Sequence, residues 1–368
     1  YVRIAEGGKV AGPNNEINGL TLHGGGHGTQ LNNVQVHNNL DDGVEWFGGT
    51  VNATYLVLTG NDDDDIDFDE GYQGNIQYAI VQKSANEAPQ GSNDPRGIEA
   101  NSSDEDYAPQ TSAVIANVAV VGNNVNNAEG SEQPGMRLRG ALTAEVHNSV
   151  VNNWNTGCIR IDDAELADGS VVASTVALNN VLTDCRDGTY DKRAADSATN
   201  VVSQTVTYAP TLAVQEAEAK LPGAATINAV ANGSGFVFDQ TDYVGAVDPD
   251  AGTGWWEGWA LPDTVAADTE VFQAASFVSY NEASNTATIS GTIDEDYTMV
   301  AGVNWVLDGP VRVGRGNVSI ANAAEMQDVM DQGVTLTIRP GVHVRATDDG
   351  TLYVTRGSKL NAVGSAAA

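Results

Sequence analysis

Short runs of alternating apolar and polar residues follow one another from Ile17 to Asn180, and each closes in Asn, Gly or Asp. Leu20-Thr21-Leu22, Val34-Gln35-Val36 and Tyr55-Leu56-Val57-Leu58 are early examples. Residues 76–81, 114–121 and 147–151 continue the series. A period of two puts alternate side chains on one face, so these runs predict strands. A shorter run completes several turns of chain, at 43–47, 65–68, 97–100, 135–139 and 158–161. Helix signals are sparse; 213–220 and 323–330 are the best.

The runs also repeat. Val36-His37-Asn38-Asn39-Leu40-Asp41-Asp42-Gly43-Val44-Glu45-Trp46-Phe47 is echoed by Leu58-Thr59-Gly60-Asn61-Asp62-Asp63-Asp64-Asp65-Ile66-Asp67-Phe68-Asp69. Asn39 falls on Asn61, Val44 on Ile66 and Trp46 on Phe68. Self-similarity at this period predicts a solenoid, in which each coil buries its apolar residues against the coils on either side. Asn recurs after the first strand of many coils, at Asn38-Asn39, Asn61, Asn123-Asn124, Asn152-Asn153 and Asn179-Asn180. Stacked amides there would satisfy groups buried in tight turns.

The pattern divides the chain into 1–262, a main stack with a Trp-rich closure, 263–288, a linker, and 289–368, a second strand-rich section. In the closure, Trp255, Trp256 and Trp259 cap the stack edge or offer a sugar-binding platform. The opening Tyr1-Val2-Arg3-Ile4 falls in mid-pattern, which predicts a mature or trimmed chain. The longest interruptions, 84–96 and 101–111, are where variable surface is expected.

Charge narrows the function. Among 368 residues, 17 are Lys or Arg and 49 Asp or Glu, a net charge of −32. That field repels nucleic acid and anionic membranes and attracts cations. Disorder is excluded because 41% of residues are hydrophobic and they alternate. No apolar run is long enough to span a membrane. The two cysteines, Cys158 and Cys185, end matching runs at 149–158 and 176–185. Equal positions on adjacent coils put Cα atoms about 4.7–4.9 Å apart, within disulfide reach. A bridge and an oxidising, extracytoplasmic setting are therefore expected, with two free thiols stacked in the core as the alternative.

Several motifs carry a resemblance: Gly19-Leu20-Thr21-Leu22, residues 41–50, the Asp-rich turn at 62–65 and the Trp-Trp-Glu-Gly-Trp closure. On these the chain resembles the right-handed parallel β-helix proteins secreted by, or displayed on, Gram-negative bacteria, many of them surface lipoproteins. The resemblance implies an all-β, right-handed parallel β-helix with minor helical and loop decorations. Sections similar to that family's opening coils stand last here, at 335–341 and 352–360, while an interior-type section, 1–8, stands first. A tandem array, a permutation or joined pieces of a longer protein would each give that order. Rungs left uncovered would recruit another strand, so copies of the chain stacked end to end into a fibre are expected partners.

The outward positions of the second strands form a column: Glu45, Asp67, Glu99, Arg137 and Arg160. Carboxylates beside guanidinium groups suit a polysaccharide lyase or glycoside hydrolase. A solvated, self-compensating ladder is the structural alternative. Asp41, Asp42, Asp62, Asp63, Asp64, Asp65, Asp67 and Asp69 offer dense hard oxygen ligands, which suits Ca2+, although the spacing is not that of an EF-hand. An acidic solvated turn is the alternative. His23, His27 and His37 fall on neighbouring turns without a recognised metal spacing. The first expectation is thus an extracellular structural or binding protein at the cell surface, Ca2+-stabilised and self-assembling. The second is an enzyme acting on acidic polysaccharide along the helix flank.

Overall fold

The structure, a computed structural model, describes all residues except 10–11, 13–16, 85–93, 103–107, 124–131, 210, 217–226, 262–263, 266–271, 282–283, 301, 340–341 and 363–368. The surface insertions expected at 84–96 and 101–111 fall largely outside the described residues, as do Asn124 and half of the helix signal at 213–220. The chain forms two compact units, Tyr1–Asp268 and Thr269–Ala368. No helix among the described residues is long and apolar enough to cross a membrane.

In the first unit the chain alternates between two parallel sheets. One has eight strands in chain order: Val2–Ala5, Gln30–His37, Asn52–Thr59, Asn75–Gln82, Ser112–Val121, Thr143–Asn152, Thr175–Asp184 and Ser197–Ser203. The other has six: Leu20–His23, Val44–Phe47, Ile66–Asp69, Ile98–Ala100, Met136–Leu138 and Ile159–Ile161. Each strand pairs with its counterpart one coil away, as in Val36 with Leu58 and Trp46 with Phe68. This is a parallel β-helix. Val36, Leu58, Val81 and Val120 from one sheet meet Trp46, Phe68, Ile98 and Met136 from the other in one fully buried core.

A column of left-handed residues bends the long sheet. Asn33, Tyr55, Tyr78, Asn117, Asn148, Asn180 and Asn200 all have positive φ, between 46 and 62°, and occupy one register position across seven strands. Asn tolerates this conformation by bonding locally. The amides also bond one another: Asn200 Nδ2 donates to Asn180 Oδ1 and Asn180 Nδ2 to Asn148 Oδ1, both at 3.0 Å. The amide ladder thus exists, but Asn180 stacks on Asn148 while Asn152 pairs with Asp184. The expected pairing of Asn152-Asn153 with Asn179-Asn180 is out of register. At the turn, Asn39 N donates to Asn61 Oδ1 at 3.1 Å, as the repeat implies.

The same register corrects the route to the disulfide. Cys158 and Cys185 are bonded, with Cα atoms 5.4 Å apart. They do not hold equal positions. Asn152 pairs with Asp184, which sets Cys185 opposite Asn153, and the bridge reaches across the turn at 154–157.

The long sheet is buried on both faces, which explains its continuous apolar runs. Val57, Ile80, Ala119, Val121 and Val150 point outward and are covered by Leu212, Val214, Val244, Trp256 and Trp259. Described residues from 206–209, 211–216, 227–261 and 264 supply this cover. Gln35 bonds Leu261 N and Thr264 Oγ1, Gln77 bonds Asp239, and the Thr241 hydroxyl joins Asn117 to Asn148. The Trp cluster lies on the flank, and Trp259 also meets the edge strand, its ring 6.4 Å from that of Tyr1 and its carbonyl accepting from Arg3 Nε. Trp256 and Trp259 are buried on the flank because the sheet's outer apolar column needs cover.

In the second unit, Thr286–Ile293, Asn304–Val313, and His343–Ala346 with Thr351–Val354 stack in parallel. Tyr297–Met299, Thr335–Ile338 and Lys359–Ala362 form the facing sheet. Trp305, Met299, Val311 and Leu336 fill its core. The stretch read as a linker contains a strand, Val278–Asn281, that pairs antiparallel with 286–289. The helix Ala323–Asp331 falls where expected. Asn322 caps it and Glu325 reaches back to Ala321 N, yet none of its residues is buried.

Candidate acidic site on the six-stranded sheet

Strand alternation builds this site. Val44, Trp46, Ile66 and Phe68 point into the core, so Glu45 and Asp67 must point out. Gly43 lets the preceding turn approach the next coil, since a Cβ there would lie 2.5 Å from Asp65 O. Parallel register then aligns Glu45, Asp67, Glu99, Arg137 and Arg160 in one column.

The column has two electrically different halves. In the basic half every guanidinium is held by carboxylates. Arg137 Nε lies 3.1 Å from Asp162 Oδ2, with NH1 3.7 Å from Glu99 Oε1. Arg160 Nε lies 2.8 Å from the same Asp162 oxygen. Arg139 and Arg96 both grip Glu99, at 2.8 and 3.0 Å. Burial pushes the Asp162 carboxyl up, but hydrogen bonds from Lys192, Arg160 and Arg137 overcome it and hold it at about 2.

In the acidic half, oxygens of Asp42, Glu45 and Asp67 lie within 4.8 Å of one another, and so do those of Asp41, Asp42 and Asp63. Asp42 belongs to both groups. Among the described residues no Lys or Arg pairs with Asp42, Glu45 or Asp67. Glu45 accepts a hydrogen bond from Asn18 Nδ2, Asp42 Oδ1 accepts from Asp64 N, and Asp67 Oδ1 is buried with no hydrogen-bond partner. Burial raises all three carboxyls, and repulsion from neighbouring carboxylates adds to it. Asp42 and Asp67 stand well above the usual range and Glu45 is pushed up to about 8 despite the Asn18 bond. Burial and Glu70 raise Asp69 to about 7, against Arg139.

The eight aspartates named from the sequence thus take different roles. Asp41, Asp42, Asp63 and Asp67, with Glu45, form the oxygen cluster. Asp65 is paired at 2.9 Å with the buried Lys83, and Asp64 accepts from Arg96 N and faces its guanidinium at 3.6 Å. Lys83 Nζ also donates to Asn61 O and Asp63 O, so two internal cations lock the acidic turn. Asp62 lies outside both groups. Asp69, with Oδ1 buried and lacking a hydrogen-bond partner, lies beside the cluster rather than in it. Lys83, Arg96, Arg139, Asp162 and Asn18 were not singled out from sequence. Only Arg139 and Asp162, each two residues beyond a column member, carried a signal.

The histidines do not meet. His23 stacks on Phe47 at 4.7 Å, and His37 Nδ1 bonds Thr59 Oγ1 at 2.8 Å. His27 lies beside Gly233. Neither three-ligand group among the described residues includes a histidine.

The cluster offers carboxylate oxygens alone, a donor set for a hard divalent cation such as Ca2+ rather than a thiophilic one. Bound there, the ion would lie against Asp42, Glu45 and Asp67, with which no Lys or Arg among the described residues pairs. No curated protein and no solved structure matches the chain. A family model described as a pectate-lyase-like beta helix domain matches residues 1–244, a span that takes in every rung of both sheets, and the chain belongs to that family.

Proposed function

We propose that this protein is an extracellular, cell-surface or secreted β-helix scaffold, of the kind displayed by Gram-negative bacteria, whose acidic rungs bind Ca2+. One observation carries the reading: Asp42, Glu45 and Asp67 converge within 4.8 Å with no cationic partner among the described residues. The disulfide favours an oxidising compartment. The large negative charge favours solubility outside the cell and a dependence on divalent cations. Isothermal titration with Ca2+ at neutral pH tests it. Saturable binding that Glu45→Gln weakens about tenfold or more is expected, since even the loss of a group that only supports a metal's ligands costs about 10–100-fold. Absence of binding heat, or equal binding by Glu45→Gln, would overturn it.

A second reading, a lyase or hydrolase acting on acidic polysaccharide, is favoured by Arg137 and Arg160 standing in register with the carboxylates. It requires a guanidinium released from Asp162 and Glu99 to reach substrate. Chain cleavage of a uronate polymer that disappears in Arg137→Ala would establish it over the scaffold.

A further inference from the structure

We propose that Tyr55 and Tyr78 are a site of oxidative cross-linking, at which a peroxide-fuelled one-electron oxidant of the haem-peroxidase class joins the two phenols through a carbon–carbon bond. The inference does not rest on the cation site.

The left-handed column of the long sheet points to the pair. Five of its seven positions are Asn, which holds that conformation through local bonds of its side-chain amide. The other two are Tyr55, at φ 58°, and Tyr78, at φ 62°. A bulky residue at positive φ is strained, and a phenol has no amide to offset the strain. Asn at either position would avoid it, so the needs of the column do not account for the two rings.

The rings face each other. Tyr55 and Tyr78 fall opposite one another on adjacent coils, between the pairs Thr54 with Gln77 and Leu56 with Ala79. They stack with centroids 4.9 Å apart and planes 17° from parallel. Coupling needs such a contact, since the new bond joins ring carbons ortho to the hydroxyls. Tyr78 Oη donates to Asp239 Oδ2 at 3.1 Å, which gives its proton a destination when the ring loses an electron. Tyr78 is buried and Tyr55 half-buried, so the neighbouring ring is nearer than any phenol of another molecule. The Trp255 ring stands edge-on to Tyr55 at 5.2 Å and stacks on Trp259 at 6.1 Å. An oxidising equivalent that lands on either indole is therefore one or two ring contacts from the pair.

The step balances. Each phenol gives up one electron and one proton, Tyr78 to Asp239 and Tyr55 to water. The two phenoxyl radicals combine at ortho carbons. The hydrogen on each of those carbons then returns to oxygen through solvent, which restores both phenols. The two electrons and two protons released reduce one hydrogen peroxide to two waters. The bond ties the coil of Asn52–Thr59 to that of Asn75–Gln82. It does for early coils what the Cys158–Cys185 bridge does for later ones, and both links are made by oxidation.

The test treats dilute intact chain with hydrogen peroxide and a haem peroxidase, isolates the monomer by size exclusion and maps it by mass spectrometry. The wild-type monomer should lose the mass of two hydrogen atoms, show the blue emission of coupled phenols and yield a cross-linked peptide pair carrying Tyr55 and Tyr78. These signals should vanish in Tyr55→Phe and in Tyr78→Phe, which keep the ring and its stack, with circular dichroism confirming that each keeps its strands. They should persist in Tyr353→Phe, which removes an exposed phenol elsewhere. A wild-type monomer of unchanged mass, a cross-link that maps to other tyrosines, or a signal retained in either of the two stack variants would overturn the proposal. The wild-type peptide map decides the matter even where a variant fails to fold.

Discussion

Glu45, Asp42 and Asp67 hold their protons more tightly in the folded chain than in the unfolded one, where carboxyls titrate at about 4. The folded protein therefore gains stability as pH falls from about 8 towards 4, the window set by Glu45 at about 8 and Asp69 at about 7. Asp162 works in the opposite sense; its stabilisation is lost only as pH drops through about 2 to 4, below that window. In metal-free buffer at about pH 8, Glu45→Gln should raise the melting temperature, since it removes a charge that repels its neighbours. If the proposed site holds Ca2+, the same substitution should weaken that binding, and a purely structural role would not move both readouts in opposite directions. The Lys83–Asp65 pair is different in kind. Lys83→Met leaves Asp65 buried without its cation and should cost about 3–5 kcal/mol in urea denaturation. Lys83→Met with Asp65→Asn should cost clearly less, because neither charge then remains unpaired.

Among the elements, the bend of the long sheet rests on its left-handed column. Asn180→Ala loses the bonds to Asn148 and Asn200 and leaves at φ 56° a residue without the polar side chain that lets Asn tolerate that conformation. A loss of about 2–3 kcal/mol is expected from the sum of these effects, measurable by denaturant titration. Reduction of the disulfide opens a loop spanning 27 positions, worth about 3–4 kcal/mol on loop-entropy grounds, and a melt with and without reductant checks it. The strands themselves are legible in the sequence, as alternation in the short sheet and as continuous apolar runs in the long one, which is buried on both faces. Register is not. A single repeat aligned Asn39 with Asn61 correctly, since no insertion intervenes, but the 27-residue match between the cysteine runs was misleading. Adjacent coils there differ in turn length, and Asn180 falls on Asn148 instead. Ladder partners were thus right in type and wrong in position.

For the molecule as a whole, the column Glu45–Asp67–Glu99–Arg137–Arg160 could be read from the alternation of the short strands, and the structure aligns it. Its division into a neutralised and an unneutralised half could not. That division depends on Lys83 and Arg96, whose reach across coils has no local sequence signature, and on Arg139 and Asp162, whose one signal is a place two residues beyond a column member. The Trp-rich segment was misplaced for a related reason: nothing in its own pattern says that the outer face of the long sheet is apolar, although Ala79-Ile80-Val81 and Val118-Ala119-Val120-Val121 carry that information as continuous runs. The account as a whole comes down to whether the acidic rungs are completed by a cation. Thermal melting of the intact chain at about pH 5 and about pH 8, each with saturating Ca2+ and with chelator, tests it most directly. The account predicts that chelated protein melts lower at the higher pH and that Ca2+ restores it there while adding little at the lower pH, where protons occupy the same oxygens. A melting temperature indifferent to Ca2+ at the higher pH would contradict it.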